Sequence, residues 1–396
     1  MKPSEYLEGK DFSLVLGGPF FQLLNRMHLS GKALELVKLR TLILSMIAWL
    51  PLLLLSMLNG QAWGESTNLP FIEDIEVHIR FLVALPLMVF AELMVHQRTR
   101  LVVEQFEGYN LIPEPARVQF RNAIASAFKL RDSILAEIFI VVLIYVIGYN
   151  LVWNKSMALD TTAWYSEPGI GNGNLSLAGV WFRYLSLPIF QFLFLRWYYR
   201  IFIWTRFLFQ VSRIKLNLVP THPDYMGGLG FLSNIVFAFM PLAVVHGAVL
   251  AGMISNHIFH EGAALLDFKI EIGIIVLIVL CLVILPLLFF SSQLSDTKRI
   301  GSIEYGRLAA GYVQAFDFHW VKGNKKVNDP LKQTQDIQGL ADLANSYQVI
   351  EQMKFIPITR TNLIMLVVGT VTPILPLVLT MMPLSELLKM LSGLLF

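Results

Sequence analysis

Residues 270–290 read IEIGIIVLIVLCLVILPLLFF and carry a single charged side chain, Glu271. A helix of about 20 apolar residues crosses the roughly 30 Å hydrocarbon core of a bilayer, and lipid offers no partner to an open strand edge. Comparable apolar runs occur at residues 41–58, 81–95, 134–152, 177–195, 229–254 and 363–382. The sequence therefore predicts an all-α, polytopic membrane protein with about seven transmembrane helices.

The composition agrees with this fold class and limits the kinds of site that the chain can contain. Hydrophobic residues make up 55% and charged residues 15% of the chain, and the mean hydropathy is +0.60. A soluble domain carries about 25% charged residues. Cys281 is the one cysteine, which excludes an internal disulfide, and the sequence lacks the paired Cys/His spacings of metal sites. We expect no metal, no cofactor and no catalytic residue set.

The basic residues are distributed unevenly between alternate loops. Of the 31 Lys and Arg residues, 26 lie before residue 41, between the second and third runs, after the fourth run, or between the sixth and seventh runs. Because cytoplasmic loops are enriched in Lys and Arg, this pattern predicts a cytoplasmic N-terminus and a C-terminus on the other side. The N-terminal residues do not resemble a cleaved signal peptide. The predicted parts are a cytoplasmic segment (1–40), six helices with short loops (41–290), a cytoplasmic helical segment (291–361), and a last helix with an outer tail (362–396).

Proline occurs in six of the seven runs. It removes a backbone donor and kinks helices, although it is also commoner in membrane helices than in soluble ones. We expect several proline-kinked helices, and the sequence leaves open whether they surround a pathway. These prolines are Pro51, Pro86, Pro188, Pro241, Pro286, Pro373 and Pro376.

The segment between the sixth and seventh runs is polar but periodic. Apolar residues recur at helical steps in 291–320 and again in 334–354, and Gly323, Asn324 and Pro330 separate the two stretches. We expect two helices that pack on each other, on neighbouring loops or on another subunit. Residues 117–130 predict a further amphipathic helix, suited to a membrane surface or a subunit contact.

Several ionisable or polar residues lie within the runs or at their inner ends. Arg196 and Arg200 share a helix face, and Glu92 and Glu137 lie at a similar depth. His246 is near the middle of the fifth run and Gln191 is in the fourth. Such residues are costly in lipid and usually face protein or water. The arginines fit either an interfacial belt or an anion pathway, and each glutamate fits either a structural pair with an arginine or a role in permeation.

A second candidate is the loop His222-Pro-Asp224, which is followed by Gly227 and Gly228. His222 and Asp224 could bind a cation or exchange protons beside the flexible glycines. The alternative is a helix cap, in which Asp224 or Thr221 accepts hydrogen bonds from free N–H groups. The glycine spacing matches neither of the common phosphate-binding loops.

Residues 218–232 (LVPTHPDYMGGLGFL) and 336–353 (DIQGLADLANSYQVIEQM) resemble an uncharacterised family of bacterial multi-pass inner-membrane proteins with a His-Pro-Asp-x-x-Gly-Gly-Leu-Gly loop. The likeness extends over the C-terminal half. It implies a bacterial inner membrane and nothing about a substrate; together with the loop charges, it places the expected C-terminus in the periplasm.

Three functions are compatible with these patterns. The first is an oligomeric channel or transporter for a small ion or solute, with anions favoured by the arginines. The second is a signalling or scaffold protein that binds a cytoplasmic partner through 291–361. The third is a membrane enzyme that uses His222 and Asp224 on a lipid-linked substrate, although the sequence favours a non-enzyme. The expected partners are the lipid bilayer and further copies of the chain, and not nucleic acid.

Overall fold

The computed structural model describes residues 12–26, 36–64, 67–147, 163–166, 175–322 and 330–381. It is 80% helical, and the described residues form no strand. The predicted all-α, polytopic architecture is therefore confirmed. In chain order the helices are α1 (Pro19–Arg26), α2 (Val37–Leu58), α3 (Ile75–Gly108), α4 (Arg117–Arg131), α5 (Ile134–Ile147), α6 (Leu177–Ser212), α7 (Ile235–Glu261), α8 (Lys269–Leu288), α9 (Ser291–Phe316), α10 (Pro330–Glu351) and α11 (Arg360–Val371).

Six of these helices are long and apolar enough to cross a membrane: α2, α3, α6, α7, α8 and α11. Three of them reach their full length with 3-10 helices: Gly230–Asn234 before α7, Leu265–Phe268 before α8 and Thr372–Thr380 after α11. Six of the seven predicted runs correspond to these helices, but α3 and α6 continue well beyond the runs. Their additional turns carry charged side chains that pack against protein, so the apolar run underestimates the length of the helix.

One end of the bundle carries α9 and α10, and we call it the hairpin side. As predicted, α9 and α10 pack on each other, and the Lys298 ammonium donates to the Glu351 carbonyl (2.7 Å). Gln293 at the start of α9 donates to the Ser212 carbonyl (2.6 Å), which fixes the end of α6 on this side. Pro330 begins α10 instead of breaking the helix, because the first turn of a helix needs no N–H group from proline.

The connection from α4 to α6 has its two described ends at opposite ends of the bundle. Arg131, at the end of α4, donates to the Ser13 carbonyl (2.8 Å) on the hairpin side. The Trp164 amide donates to the Leu69 carbonyl (3.0 Å), in the connection between α2 and α3 at the opposite end. Six helices of the described residues have the length and apolarity to span a membrane, and the seventh span stays a prediction. Helix α5 is apolar but shorter than those six, and the end of the predicted 134–152 span lies outside the described residues.

Two prolines follow wide helical turns. The π-helical segments Ile79–Ala84 and Phe182–Ser186 end directly before Leu85-Pro86 and Leu187-Pro188. Proline has no N–H to donate to the carbonyl four residues earlier, and its ring clashes with that carbonyl. A π-turn widens the helix at this point and relieves the clash. Two of the prolines therefore coincide with a local change of helix type, and the kinks expected at the other prolines stay a prediction.

Helix α7 is the centre of the bundle. Its apolar window is 78% buried, whereas the windows of α2, α8 and α11 are 22% buried and present most of their surface to the surroundings. Gly247 allows the closest approach, because a Cβ atom at this position would lie 1.8 Å from the Thr370 carbonyl oxygen of α11. Small residues at a helix interface allow such backbone contacts in membrane proteins.

Candidate functional site: a buried arginine and glutamate cluster

Four helices bring charged side chains together near the hairpin side of the bundle. Arg40 comes from the first turns of α2, Glu92 from the middle of α3, Glu137 from the start of α5, and Arg196 and Arg200 from α6. The two α6 arginines are four residues apart, so they project from one face. We call these five residues the charge cluster.

Glu92 is the centre of the charge cluster and contacts all three arginines. Its Oε1 atom lies 2.8 Å from Arg200 Nη2 and 3.6 Å from Arg196 Nη1, and its Oε2 atom accepts a hydrogen bond from Arg40. Glu92 is 4% exposed and Arg40 is 2% exposed. The structure therefore contains the predicted pairing of Glu92 with the arginines of α6. Glu92 is the counter-ion that all three arginines share.

Arg196 is held more loosely than the other two arginines. Its Nε atom lies 3.3 Å from Glu137 Oε1, and its other carboxylate contact is the 3.6 Å approach to Glu92. Strong guanidinium–carboxylate hydrogen bonds are about 2.7–2.9 Å long. The guanidinium also lies over the Phe20 ring, 4.9 Å from its centroid. Arg196 thus faces two carboxylates without a close hydrogen bond to either one.

The charge cluster carries one more positive than negative charge, because three guanidinium groups face two carboxylates. Burying an unbalanced charge costs several kcal/mol, about 3–5 kcal/mol when one partner of a buried pair is removed. Proteins retain such charges in membranes mainly at functional sites. The cluster is therefore electrostatically suited to receive a small anion beside Arg196.

The N-terminal segment covers the charge cluster from the hairpin side. The Phe20 amide donates to Glu137 Oε2 (2.8 Å), and the Gly18 amide donates to Asp132 Oδ1 (2.8 Å). Further back, Phe12 is fully buried against the Phe207 ring of α6, with centroids 5.0 Å apart. We call residues 12–20 the N-terminal plug. This part of the predicted cytoplasmic segment packs into the bundle.

His246 and Gln191 lie apart from the charge cluster. His246 is buried on α7, where its Nδ1 atom lies 2.6 Å from the Leu242 carbonyl and its Nε2 atom 2.7 Å from the Tyr198 hydroxyl. A carbonyl only accepts, so Nδ1 carries a hydrogen and Nε2 is available to accept from Tyr198. Gln191 is partly buried on α6 and makes none of the contacts within the cluster.

The loop motif forms a cap. The two Asp224 carboxylate oxygens accept from the amides of Met226 (2.8 Å), Gly228 (3.2 Å) and Gly230 (2.7 Å), the last being the first residue of the 3-10 helix before α7. His222 Nδ1 lies 2.8 Å from Asp224 Oδ1. Because the carboxylate is occupied by backbone donors, the geometry favours the cap interpretation over a catalytic or cation-binding role.

The backbone conformation of this loop explains why glycine occupies two of its positions. Gly227 and Gly228 have φ values of +64° and +99°, which side-chain-bearing residues rarely adopt. The turn that they form brings the Tyr225 carbonyl to the Lys354 amide (2.8 Å), just after α10. The motif thereby connects the start of α7 to the end of the α9–α10 pair.

Two buried charged residues were not anticipated as site residues. Arg40 was counted among the basic residues before the first span, and its burial depends on Glu92 of another helix. Asp74 caps α3 by accepting from the Val77 amide (3.1 Å), and it also accepts from the Trp164 indole (2.9 Å) and the Asn256 amide (2.8 Å). Aspartate is a preferred N-cap residue, but six residues separate Asp74 from the apolar run at 81–95, so the run did not point to this cap.

Comparisons of the chain with protein-family models, with curated proteins and with solved structures find no match. The resemblance of 218–232 and 336–353 to a bacterial inner-membrane family therefore stays a prediction.

Proposed function

We propose that this chain is a membrane transport protein for a small anion and that the charge cluster is its anion site. The single observation that supports this function is the excess positive charge of the cluster, together with the loose contacts of Arg196. A network with a purely structural role would be expected to balance its charges, because every unpaired buried charge lowers stability. An anion beside Arg196 would supply the missing negative charge.

Arg196 is the residue that binds the anion in this proposal. Arg200 and Arg40 each have a close contact with Glu92, so their charges are already paired with a carboxylate. Glu92 and Glu137 hold the arginines in place and limit the affinity, so that the anion can leave again. Conduction requires binding that is strong enough to enter and weak enough to exit.

The N-terminal plug acts as the gate on the hairpin side. It lies between the cluster and this end of the bundle, and it is attached through the Phe20 and Gly18 amides. Those bonds end on carboxylates, one of which also faces Arg196. An anion would compete with Glu137 for Arg196, and opening of the gate requires the Phe20 and Gly18 amides to leave their carboxylates.

The test is anion flux through the full chain reconstituted in liposomes, with chloride, nitrate, acetate and inorganic phosphate as probes. We expect saturable flux of at least one anion and its loss in Arg196→Gln. Arg206→Gln is the matched control, because Arg206 is on the same helix and bonds the Ser126 hydroxyl (2.5 Å) outside the cluster. Absence of flux for every probe, or equal flux in Arg196→Gln and Arg206→Gln, would overturn the proposal.

The hairpin side faces the cytoplasm of a bacterium in this proposal, with the chain in the inner membrane. The support is the concentration of 26 of the 31 basic residues in alternate segments of the sequence, which include α9 and the residues after α6 on this side. A cysteine at exposed Leu308 of α9, in a chain with Cys281→Ala, should react with a membrane-impermeant maleimide in inside-out vesicles. Reaction in right-side-out vesicles alone would reverse the orientation.

A second function is favoured by the surface of the α9–α10 pair, which could recruit a soluble partner. Large apolar side chains are exposed along it, at Ile300, Ile303, Leu308, Val313, Phe318, Val321 and Ile337. Exposed apolar surface beyond the membrane is typical of a protein contact. Leu308→Asp should release a co-purifying partner without changing anion flux, whereas loss of flux would assign these helices to transport.

A further inference from the structure

A groove between α6 and α8 opens towards the lipid. It has a volume of about 420 Å³, and Phe202 and Thr205 of α6 face Leu277, Cys281 and Leu285 of α8 across it. Phe202, Leu277 and Leu285 are 54%, 60% and 53% exposed, so the groove is not closed by the rest of the chain that the structure describes. We call it the α6–α8 groove.

The walls of the α6–α8 groove are mainly apolar. The Tyr198 hydroxyl is bonded to His246, and the Thr205 hydroxyl donates to the Ile201 carbonyl (2.8 Å). These polar groups therefore already have partners within the protein. Water in such a groove would have few hydrogen-bond partners, whereas an apolar chain removes apolar surface from water.

The groove has the length of one leaflet. On α8 it extends from Leu277 to Pro286, which at a rise of 1.5 Å per residue is roughly 13–14 Å. Half of the hydrocarbon core is about 15 Å. The groove lies in the half of the bundle towards the hairpin side, because α6 and α8 both end there. One extended acyl chain from that leaflet matches this length and position.

A positive charge lies beyond the end of the groove. Phe209, one turn after Thr205 on α6, packs edge to face on Phe289 at a centroid distance of 5.2 Å. The Arg213 guanidinium lies over the Phe209 ring at 4.7 Å. Arg213 and Lys215 are both exposed, and neither forms a salt bridge with a carboxylate of the described residues. The groove thus ends at an aromatic pair with available cationic groups at headgroup level.

From this arrangement we propose that the α6–α8 groove is a binding site for an anionic phospholipid of the leaflet on the hairpin side. One acyl chain lies between Phe202 and Leu285, and the phosphate pairs with the Arg213 guanidinium. Arginine recognises phosphate through charge-assisted, often paired hydrogen bonds. This inference does not depend on the transport proposal, because the groove and the charge cluster share no residue.

The test is native mass spectrometry of the full chain released from mixed vesicles of phosphatidylglycerol and phosphatidylcholine. We expect preferential retention of phosphatidylglycerol. Arg213→Gln should lower that preference about fivefold, which corresponds to about 1 kcal/mol for one basic residue at a membrane surface. Arg299→Gln removes an exposed arginine of α9 and is the charge control.

A second pair of variants tests the position of the acyl chain. Leu285→Trp fills the groove and should lower the retention of both lipids, whereas Ile274→Trp places the same ring on an exposed part of α8 outside the groove. Equal lipid retention in wild type, Arg213→Gln and Leu285→Trp would overturn the proposal. So would a disulfide between the Cys281 residues of two copies in native membranes, because a second copy would then occupy the groove.

Discussion

Replacement of Glu92 by glutamine is the sharpest test of the charge cluster. The change keeps the size of the side chain but removes the carboxylate that all three arginines contact. The excess positive charge in the cluster then rises from one to two, at a position that is 4% exposed. Removal of one partner from a buried ion pair costs about 3–5 kcal/mol, and we expect Glu92→Gln to lower the free energy of unfolding by that amount.

Reversible unfolding by sodium dodecyl sulfate in mixed micelles, followed by far-ultraviolet circular dichroism, measures this loss. Glu114→Gln is the matched control, since Glu114 pairs with Arg117 (2.7 Å) but is 74% exposed, and exposed pairs contribute about 0–1 kcal/mol. Arg40→Gln combined with Glu92→Gln returns the excess charge to one. This double variant should therefore be more stable than Glu92→Gln alone, with a coupling free energy of about 0.5–3 kcal/mol.

Two results would refute this account of the cluster. One is an equal loss of stability in Glu92→Gln and Glu114→Gln, which would mean that burial of the carboxylate has no consequence. The other is a double variant no more stable than Glu92→Gln, which would mean that the charge balance does not set the stability.

Three further predictions follow from the contacts of the bundle. A disulfide between Ser13→Cys and His96→Cys, whose native side chains are 2.9 Å apart, should fix the N-terminal plug and stop anion flux until a reductant is added. Gly247→Ala should lower the unfolding free energy by at least about 1–3 kcal/mol in the same micelles, because the methyl group meets the Thr370 carbonyl. Tyr198→Phe should cost about 0.6 kcal/mol, the average measured for a hydrogen bond between membrane helices, and should leave anion flux unchanged.

Each of these predictions has its own control. The disulfide variants are made with Cys281→Ala, and either single cysteine should leave the flux insensitive to oxidation. Gly273→Ala is the counterpart of Gly247→Ala, since no atom lies within 4 Å of a Cβ at Gly273, and it should stabilise α8. Equal effects of the two alanines would contradict the close contact of α7 and α11, and loss of flux in Tyr198→Phe would bring His246 into the transport pathway.

The membrane helices could be predicted from the sequence because hydropathy is a local property. A run such as 270–290 must lie in lipid or in a core whatever its neighbours are, and α8 has nearly the predicted bounds (Lys269–Leu288). Helices α9 and α10 could be predicted from the helical spacing of their apolar residues, which is also a local property. Helix ends were less certain, because Arg196 and Arg200 also fit an interfacial belt at the end of a span until the protein around them is known.

The charge cluster was only partly predictable. Similar depth in the membrane suggested that Glu92 and Glu137 pair with Arg196 and Arg200, because depth can be counted along each helix. Depth does not say which helices are adjacent, so Arg40 was not recognised as a third partner. In the same way, the sequence around Asp224 is compatible with a helix cap and with a catalytic role. The hydrogen bonds that Asp224 accepts from three backbone amides favour the cap.

The sequence by itself determined an all-α membrane protein, its apolar runs and the separation of most basic residues from the alternate loops. Each of these features depends on whether a single segment prefers water or lipid. The residues of the segment determine that preference without the rest of the chain. Only the tertiary structure decided that α7 lies at the centre, that residues 12–20 cover the charged residues, and that Glu92 serves three arginines. Those facts depend on contacts between distant segments, which form only when the helices pack.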